Sequence, residues 1–453
     1  MRSCAVTVFF AVTMAVITLG VPMLYAQGVD GDSLSGRGSA SKVLSLNQVV
    51  SEVVNNNDRV VAARYMAEAA ERKIGPAGAW KDPMLMLGVQ NVPTNFDFEM
   101  DDMTMKMIGL SQEIPYAGFK GYAKRAARAD AAVAQAEAQS MTIDLVTIAK
   151  SAYLDLYFRR LSLTELQRQS QLLDQVVSAS SAKLRTSEAG QEEFLAAQAD
   201  LWRTESMILS AEQEVVEATL NLNSLRGADA VDTVFQMTPP DLPIVPDAPA
   251  QWLAKAEENY PAFQKLRHES ESYGLSAAAM KRMQWPMLGV NGSYGMRSGN
   301  KMGSDGMPEK RDNMVSFGVT LSLPLFEGHQ QGQAARSMDA MKTASLGEAR
   351  QLQRDVYAKL LTLYERARRL SLSLALYRDR ILPTAEDAYR TALSGYATNR
   401  TDFISLLTLA TGVYRDRITV NELANALAQT LIEAERFTTN TGELILNSSS
   451  SIR

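Results

Sequence analysis

The chain has 453 residues, 46% of them hydrophobic, 7% aromatic and 21% charged, with a net charge of −5. The mildly acidic balance excludes the basic footprint of a nucleic-acid binder, and abundant Ala, Leu, Gln, Glu and Arg with few aromatic residues point to helix packing. The single cysteine, Cys4, stands ahead of the first apolar run, so disulfides, thiolate metal sites and a cysteine nucleophile are excluded beyond it.

Arg2 gives a positive start, Val6 to Leu19 an apolar core and Leu24-Tyr25-Ala26 a cleavage site before Gln27. Residues 1–26 therefore read as a secretory signal peptide. A membrane anchor is the alternative, but the apolar core is short for a span of roughly 20 residues and no stop-transfer charges follow. Beyond Ala26 no run reaches that length, so any membrane contact is not through helices. From Met84 the chain reads "MLMLGVQNVPTNFDFEMDDMTMKM", six methionines in 24 residues. Whether they form a soft-metal site or flexible filler depends on where they point.

Between Pro115 and Pro239 there is no proline, and apolar residues such as Met141, Leu145, Ile148 and Ala152 recur at steps of four and three, a helical period. One break, "TSEAGQEEF" (Thr186 to Phe194), carries turn and N-cap chemistry. The pattern predicts two antiparallel helices, about 120–185 and 191–225. At 1.5 Å per residue the first is about 100 Å long, a coiled-coil rod.

"RRLSL" occurs at Arg159 to Leu163 and again at Arg368 to Leu372, a shift of 209 that also maps Gly109 onto Gly318, Pro115 onto Pro324, Leu184 onto Leu393 and Phe194 onto Phe403. The chain reads as a tandem duplication. Its expected parts are a first repeat over 42–227, a linker over 228–247 marked by the proline-rich "TPPDLPIVPDAPA", a second repeat over 248–440 and a polar tail over 441–453. Each repeat has a helix, a short strand pair and a long helical hairpin.

The strands are clearest in "VSFGVTLSL", which puts Val315, Phe317, Val319, Leu321 and Leu323 on one face and Ser316, Gly318, Thr320 and Ser322 on the other. Such alternation marks a half-buried strand, and small polar residues opposite large apolar ones suit a membrane barrel between lumen and lipid. Partner strands are expected near 286–296, 83–92 and 103–114. A soluble sandwich is the alternative, but four strands set between such long helices have poor cover for an outer face. Four strands cannot close a barrel, and open edges in hydrocarbon leave backbone groups unsatisfied, so the chain is expected to oligomerise. Trp80, Tyr116, Phe119, Trp285 and Phe326 lie where strands meet helices, as an interfacial girdle or as junction packing.

Together with "IPYAG", "LPLFEG" and "ILPTAEDAYRTALSGYATNRTDFISLL", this organisation resembles the TolC family of outer-membrane efflux proteins over nearly all the chain after the signal peptide. The resemblance implies a mainly α fold with a small membrane β-barrel part: a trimer with one 12-stranded barrel and a long periplasmic α-helical tunnel. It implies docking of the tunnel tips onto a periplasmic adaptor protein and an inner-membrane pump of the resistance-nodulation-division type, with no chemical change to the cargo and no cofactor. The expected docking tips include Arg185 and Gly190 in the first turn and Gly395 and Arg400 in the second, the glycines being expected to supply unusual backbone angles. Family members carry an aspartate pair after the second tip turn, but the matching positions here hold Ser405 and Thr408. Glu192, Glu193 and Asp402 are the nearest acids, up to nine carboxylates around a trimeric tip. They form a cation-attracting mouth by field focusing or, equally, stabilise helix N-termini by about 0.3–1 kcal/mol each, and the two roles are compatible.

His268 and His329 carry no triad or metal motif and "GHQQGQ" lacks the lysine of a phosphate loop, so an enzyme has no positive support. A structural coiled-coil envelope protein is the remaining class outside transport, and the strand alternation argues against it. The shift of 209 places Met103, Met105 and Met107 on the face of Ser316, Gly318 and Thr320, and alignment of Pro83 with Pro286 adds Met84 and Met86. Thr104 and Lys106 then fall on the lipid side. Inward thioethers suit Cu(I) or Ag(I), so soft heavy-metal efflux, drug or solvent efflux and type I secretion all stay open as cargo classes.

Overall fold

The computed structural model describes residues 42–440 apart from 95, 97, 99–100, 102, 187–189, 230–234, 242–243, 303–306, 324–326 and 399. The expected signal peptide, the C-terminal tail and Phe326 lie outside the described residues. The first strand, β1 (Lys42–Leu44), leads to α1 (Leu46–Asn56) and α2 (Asp58–Arg72). The start of α1 is fixed by a reciprocal cap, in which Ser45 Oγ accepts from the Gln48 amide at 3.2 Å and the Gln48 side chain accepts from the Ser45 amide at 2.9 Å. A short α3 (Ile74–Ala77) precedes β2 (Met84–Gln90), β3 (Met105–Ile114), α4 (Phe119–Arg185), α5 (Gln191–Arg226) and β4 (Phe235–Met237). The second half brings α6 (Ala250–Asn259), α7 (Pro261–Arg282), β5 (Met287–Arg297), β6 (Asn300–Met302), β7 (Pro308–Lys310), β8 (Met314–Ser322) and α8 (Glu327–Leu376). A π-helical turn, Tyr377–Ile381, separates α8 from α9 (Leu382–Ala397), and α10 (Phe403–Thr438) follows.

The element order recurs with two shifts. Asp58 at the start of α2 corresponds to Pro261 of α7, a shift of 203, while Met105 of β3 corresponds to Met314 of β8, a shift of 209. Six extra residues in the second half therefore lie between the start of β5 and β8, where β6 and β7 form a small hairpin. The rods are not identical either. Where α4 runs unbroken, Pro383 interrupts its counterpart, because proline lacks the N–H that would bond four residues back and its ring crowds that carbonyl. The π turn absorbs the misfit, with Leu382 N–H donating to Tyr377 O.

The long helices lie side by side in the order α5, α4, α10, α8, with α7 packed on α4 and α8. Their largest buried cluster joins Val49 and Val53 of α1, Ile143, Val146 and Tyr153 of α4, Leu222 of α5 and Phe235 of β4. Each such aliphatic side chain contributes about 1.5–3 kcal/mol when fully buried. The Tyr153 hydroxyl lies 3.0 Å from Leu44 O and 2.7 Å from Thr238 O, which ties the parallel β1–β4 ribbon to the rod. Glycine is required by the backbone at both ends of the first hairpin, where Gly118 (φ +80°) starts α4 and Gly227 (φ +67°) ends α5. A Cβ on Gly227 would also stand 3.0 Å from Asn56 O.

The two strand pairs expected of the repeats merge into one antiparallel sheet of order β2-β3-β5-β8, joined by the long β3–β5 pairing. Its outer strands, β2 and β8, each keep one edge unpaired among the described residues. Among the described residues no helix is long and apolar enough to cross a membrane.

Candidate functional site

Residues paired across antiparallel strands point to the same face, so the register sorts the sheet. On one face lie Met84, Met86, Gly88 and Gln90 of β2, Met105, Met107, Gly109, Ser111 and Glu113 of β3, Met287, Gly289, Asn291, Ser293, Gly295 and Arg297 of β5, and Met314, Ser316, Gly318 and Thr320 of β8. The opposite face carries Leu85, Leu87, Val89, Ile108, Leu110, Val290, Tyr294, Val315, Phe317, Val319 and Leu321. It stands open in the single chain, with Leu87 and Val319 71% and Phe317 87% exposed. At the helix end of the sheet Trp80 and Trp285 are exposed, and Lys120 Nζ sits 4.1 Å over the Trp80 ring. Tyr116 and Phe119 meet edge to face at 6.3 Å.

Four of the five methionines singled out in the sequence, Met84, Met86, Met105 and Met107, lie within the strands on the polar face. Met103 stands just before β3, and its sulfur is 3.6 Å from Arg297 Nη2, which also bonds Met314 Sδ. Thr104 does not lie on the apolar face: it precedes the strand, is buried, and its hydroxyl donates to Asn91 O at 2.6 Å. Lys106 does lie on that face, exposed at the loop end with its ammonium 5.8 Å from the centre of the Phe98 ring. Sequence reasoning missed Arg297 and Met314, although the shift of 209 carries Met105 onto Met314 and the β5 parity that holds Asn291 and Ser293 leads to Arg297.

The far end of the rods is built from Val176 of α4, Ala197 of α5, Ala392 and Tyr396 of α9, and Phe403 and Leu406 of α10. Lys183 Nζ donates to Tyr396 O at 2.8 Å and lies 3.8 Å over its ring. The Tyr396 hydroxyl donates to Glu193 Oε2 at 3.3 Å. Of the three acids named at the tip, Glu192 and Glu193 occupy the first turn of α5, where the helix dipole favours them. Asp402 caps α10, accepting from the Ser405 amide at 3.0 Å and hydroxyl at 2.7 Å, and these bonds hold its carboxyl below the usual range. Arg185 ends α4 and is exposed, as is Arg400. The glycine expectation needs correction: Gly190 has φ −76° and Gly395 is helical, so neither supplies a left-handed angle. Gly395 is instead needed for close approach. Its carbonyl accepts from Arg400 N–H at 2.8 Å, and a Cβ there would stand 2.2 Å from Thr401 Oγ1. At Gly190 a Cβ meets only the movable Glu192 carboxylate.

Burial, and then the facing Glu193 carboxylate, push the Tyr396 phenol from 10.0 up to about 12. A raised folded-state value means that Tyr396 contributes its full stability below pH 10 and loses it as pH rises toward 12. Tip amide protection, followed by hydrogen exchange, is expected to fall over that window in the parent and to fall less in Tyr396→Phe. Identical alkaline profiles would show that Tyr396 does not control the tip.

Among the described residues no cluster of three His, Cys, Asp or Glu side chains is placed to hold a metal. His268 lies 3.9 Å from Glu271 on a helix surface, and the His329 side chain is outside the described residues. No protein-family model matches the chain. By sequence it is 26% identical over 220 residues to the cobalt-zinc-cadmium resistance protein CzcC of Cupriavidus metallidurans, covering 46% of this chain. The chain spans about half the length of that relative, 49%. By structure it is similar to CusC, solved in a study of folding and transmembrane channel formation, with TM-score 0.71 and 14% identity over 87% of this chain and 92% of CusC. It is also similar to the outer-membrane channel CmeC of Campylobacter jejuni, with TM-score 0.70 and 14% identity over 90% of each chain. With a two-faced sheet mounted on long helical rods, and a match to these channels over 87–90% of its length, the chain has the fold of the TolC-family outer-membrane efflux proteins.

Proposed function

We propose that the chain is the outer-membrane channel of a tripartite efflux system, a passive conduit from periplasm to exterior that transforms nothing. The observation that carries this reading is the sheet: both its edges are open and its apolar face is uncovered. An open edge in hydrocarbon costs several kcal/mol for each unpaired backbone group. Three copies, with β8 of one beside β2 of the next, make a closed barrel of 12 antiparallel strands. The polar face then lines the lumen, the apolar face meets outer-membrane lipid, and Trp80 and Trp285 sit at the helix-side interface. The helical layer, repeated three times, forms the periplasmic tunnel, with 42–227 and 248–440 as its two repeats. Its tips, with Arg185, Gly190, Gly395 and Arg400, meet a periplasmic adaptor, and an inner-membrane pump, of the resistance-nodulation-division type, supplies the energy. Glu192 and Glu193 ring the tunnel mouth, and Asp402 holds the second tip turn. The similarity to CzcC supports a metal cargo.

The test is purification of the full chain in detergent, with its mass measured by light scattering and its conductance in liposomes. A trimer that passes ions is expected. A stable, detergent-free monomer would remove the barrel and the tunnel together.

A further inference from the structure

We propose that the methionines of the polar face form a relay of thioether sites for soft monovalent cations, Cu(I) and Ag(I), running from the helix end of the sheet to its loop end. The proposal rests on the channel reading above, which makes that face the lumen. The sheet strands β2, β3, β5 and β8 hold seven methionines, and six of them, Met84, Met86, Met105, Met107, Met287 and Met314, lie on the polar face against Met296 alone on the apolar one. Apolar filler belongs on the lipid side, so this bias runs against packing as its origin.

The register gives the relay its steps. Met84 and Met86 are two residues apart on β2, roughly 7 Å along the strand. Met86 stands opposite Gly109 and Met107 opposite Gly88, which makes Met86 and Met107 diagonal neighbours, roughly 7–8 Å apart. Met107 and Met314 flank the same residue, Gly295, from either side. Glycine recurs beside the sulfurs: a Cβ on Gly109 would lie 3.4 Å from the Met86 methyl, and one on Gly295 would lie 2.6 Å from Met105 Sδ. Bare backbone beside a thioether leaves it room to change rotamer and turn its sulfur toward an ion.

The other donors on the face are poor ligands for harder ions, being mainly neutral hydroxyl and amide oxygens such as those of Ser111, Asn291 and Thr320. The face has neither histidine nor cysteine, and its carboxylate, Glu113, is engaged by Lys81 at 2.6 Å. Neutral thioethers alone select Cu(I) and Ag(I) over Zn(II) or Co(II), so the inferred cargo differs from the ions in the name of CzcC. At the loop end Arg297 bonds Met314 Sδ and lies against Met103 Sδ. Its fixed charge competes for those sulfurs and repels an arriving cation, so binding weakens where release is needed. Each step exchanges one sulfur for another and leaves the metal's oxidation state unchanged.

The experiment titrates silver nitrate, in chloride-free buffer, into the full-length protein in detergent and reads the metal's ligands by X-ray absorption. The parent is expected to bind Ag(I) through two or more sulfurs. Replacement of Met84, Met86 and Met107 by leucine is expected to weaken binding about tenfold or more, while Met66→Leu with Met207→Leu, both on exposed helix surfaces, leaves it unchanged. Equal affinity in the triple variant and the parent would overturn the relay. Should the variant not assemble, the parent spectrum decides alone, and a ligand shell of oxygen or nitrogen would overturn it as well. Potassium conductance of the parent in liposomes is measured in parallel. Its absence would sink the channel reading, whereas a conducting parent that binds no silver sinks only the relay.

Discussion

Phe317→Arg is expected to abolish accumulation of the protein in the outer membrane, and Ser316→Arg, one residue away on β8, is expected to leave it nearly intact. The two side chains point to opposite faces because strand periodicity is two, and Phe317 is 87% exposed on a face of Leu, Val and Ile. An arginine near the bilayer midplane costs about 2–4 kcal/mol on the lipid face of a barrel, and three copies bring that cost to the trimer three times over. On the polar face the same guanidinium meets water and the side chains of Ser293 and Asn291. Outer-membrane trimer levels, measured by fractionation and native electrophoresis, check the pair. Equal tolerance of both substitutions would mean that the sheet does not face lipid.

Arg417→Ala is expected to release the α9–α10 hairpin from α4 and raise single-channel conductance. Arg417 of α10 donates to Glu386 of α9 at 2.7 Å and to Glu165 of α4 at 3.5 Å, with all three side chains partly buried. Removal leaves two carboxylates without their shared cation, a loss of roughly 1.5–3 kcal/mol per charged hydrogen bond before solvent screening reduces it. The hairpin also has a place to bend, since the π turn and Pro383 interrupt the rod just before α9. Conductance in planar bilayers and hydrogen exchange in α9 read the outcome. An unchanged conductance with faster exchange would mean that the link is structural and sets no pore width.

Much of this fold was legible in the residues, and the reason is local. The absence of proline and the three-four spacing marked α4 and α5 to within one residue at each end, because helix formation is decided by neighbours a turn apart. Strict alternation sorted Phe317 from Ser316 before any pairing was known, because a strand's two faces follow from its own period, and aligning Pro83 with Pro286 carried that parity to Met84 and Met86. The shift of 209 carried the same face from β8 to β3. Other features depended on which distant segments meet. That β3 pairs with β5 and fuses the repeats into one sheet is a matter of edge register, for which neither strand carries a periodic signal. The Tyr153 tie to Leu44 and Thr238 spans 109 and 85 residues. The bonds by which Asp402 caps α10 were visible only once Ser405 was placed against it. Arg297 was an unremarked strand residue until the sheet brought Met103 and Met314 to its guanidinium. The sequence alone determined the rods, the strand faces and the duplication, since each is written in spacing along the chain. Tertiary structure decided strand order, the tip contacts and the neighbours of each methionine sulfur, because those depend on packing between residues too far apart for any local pattern to encode.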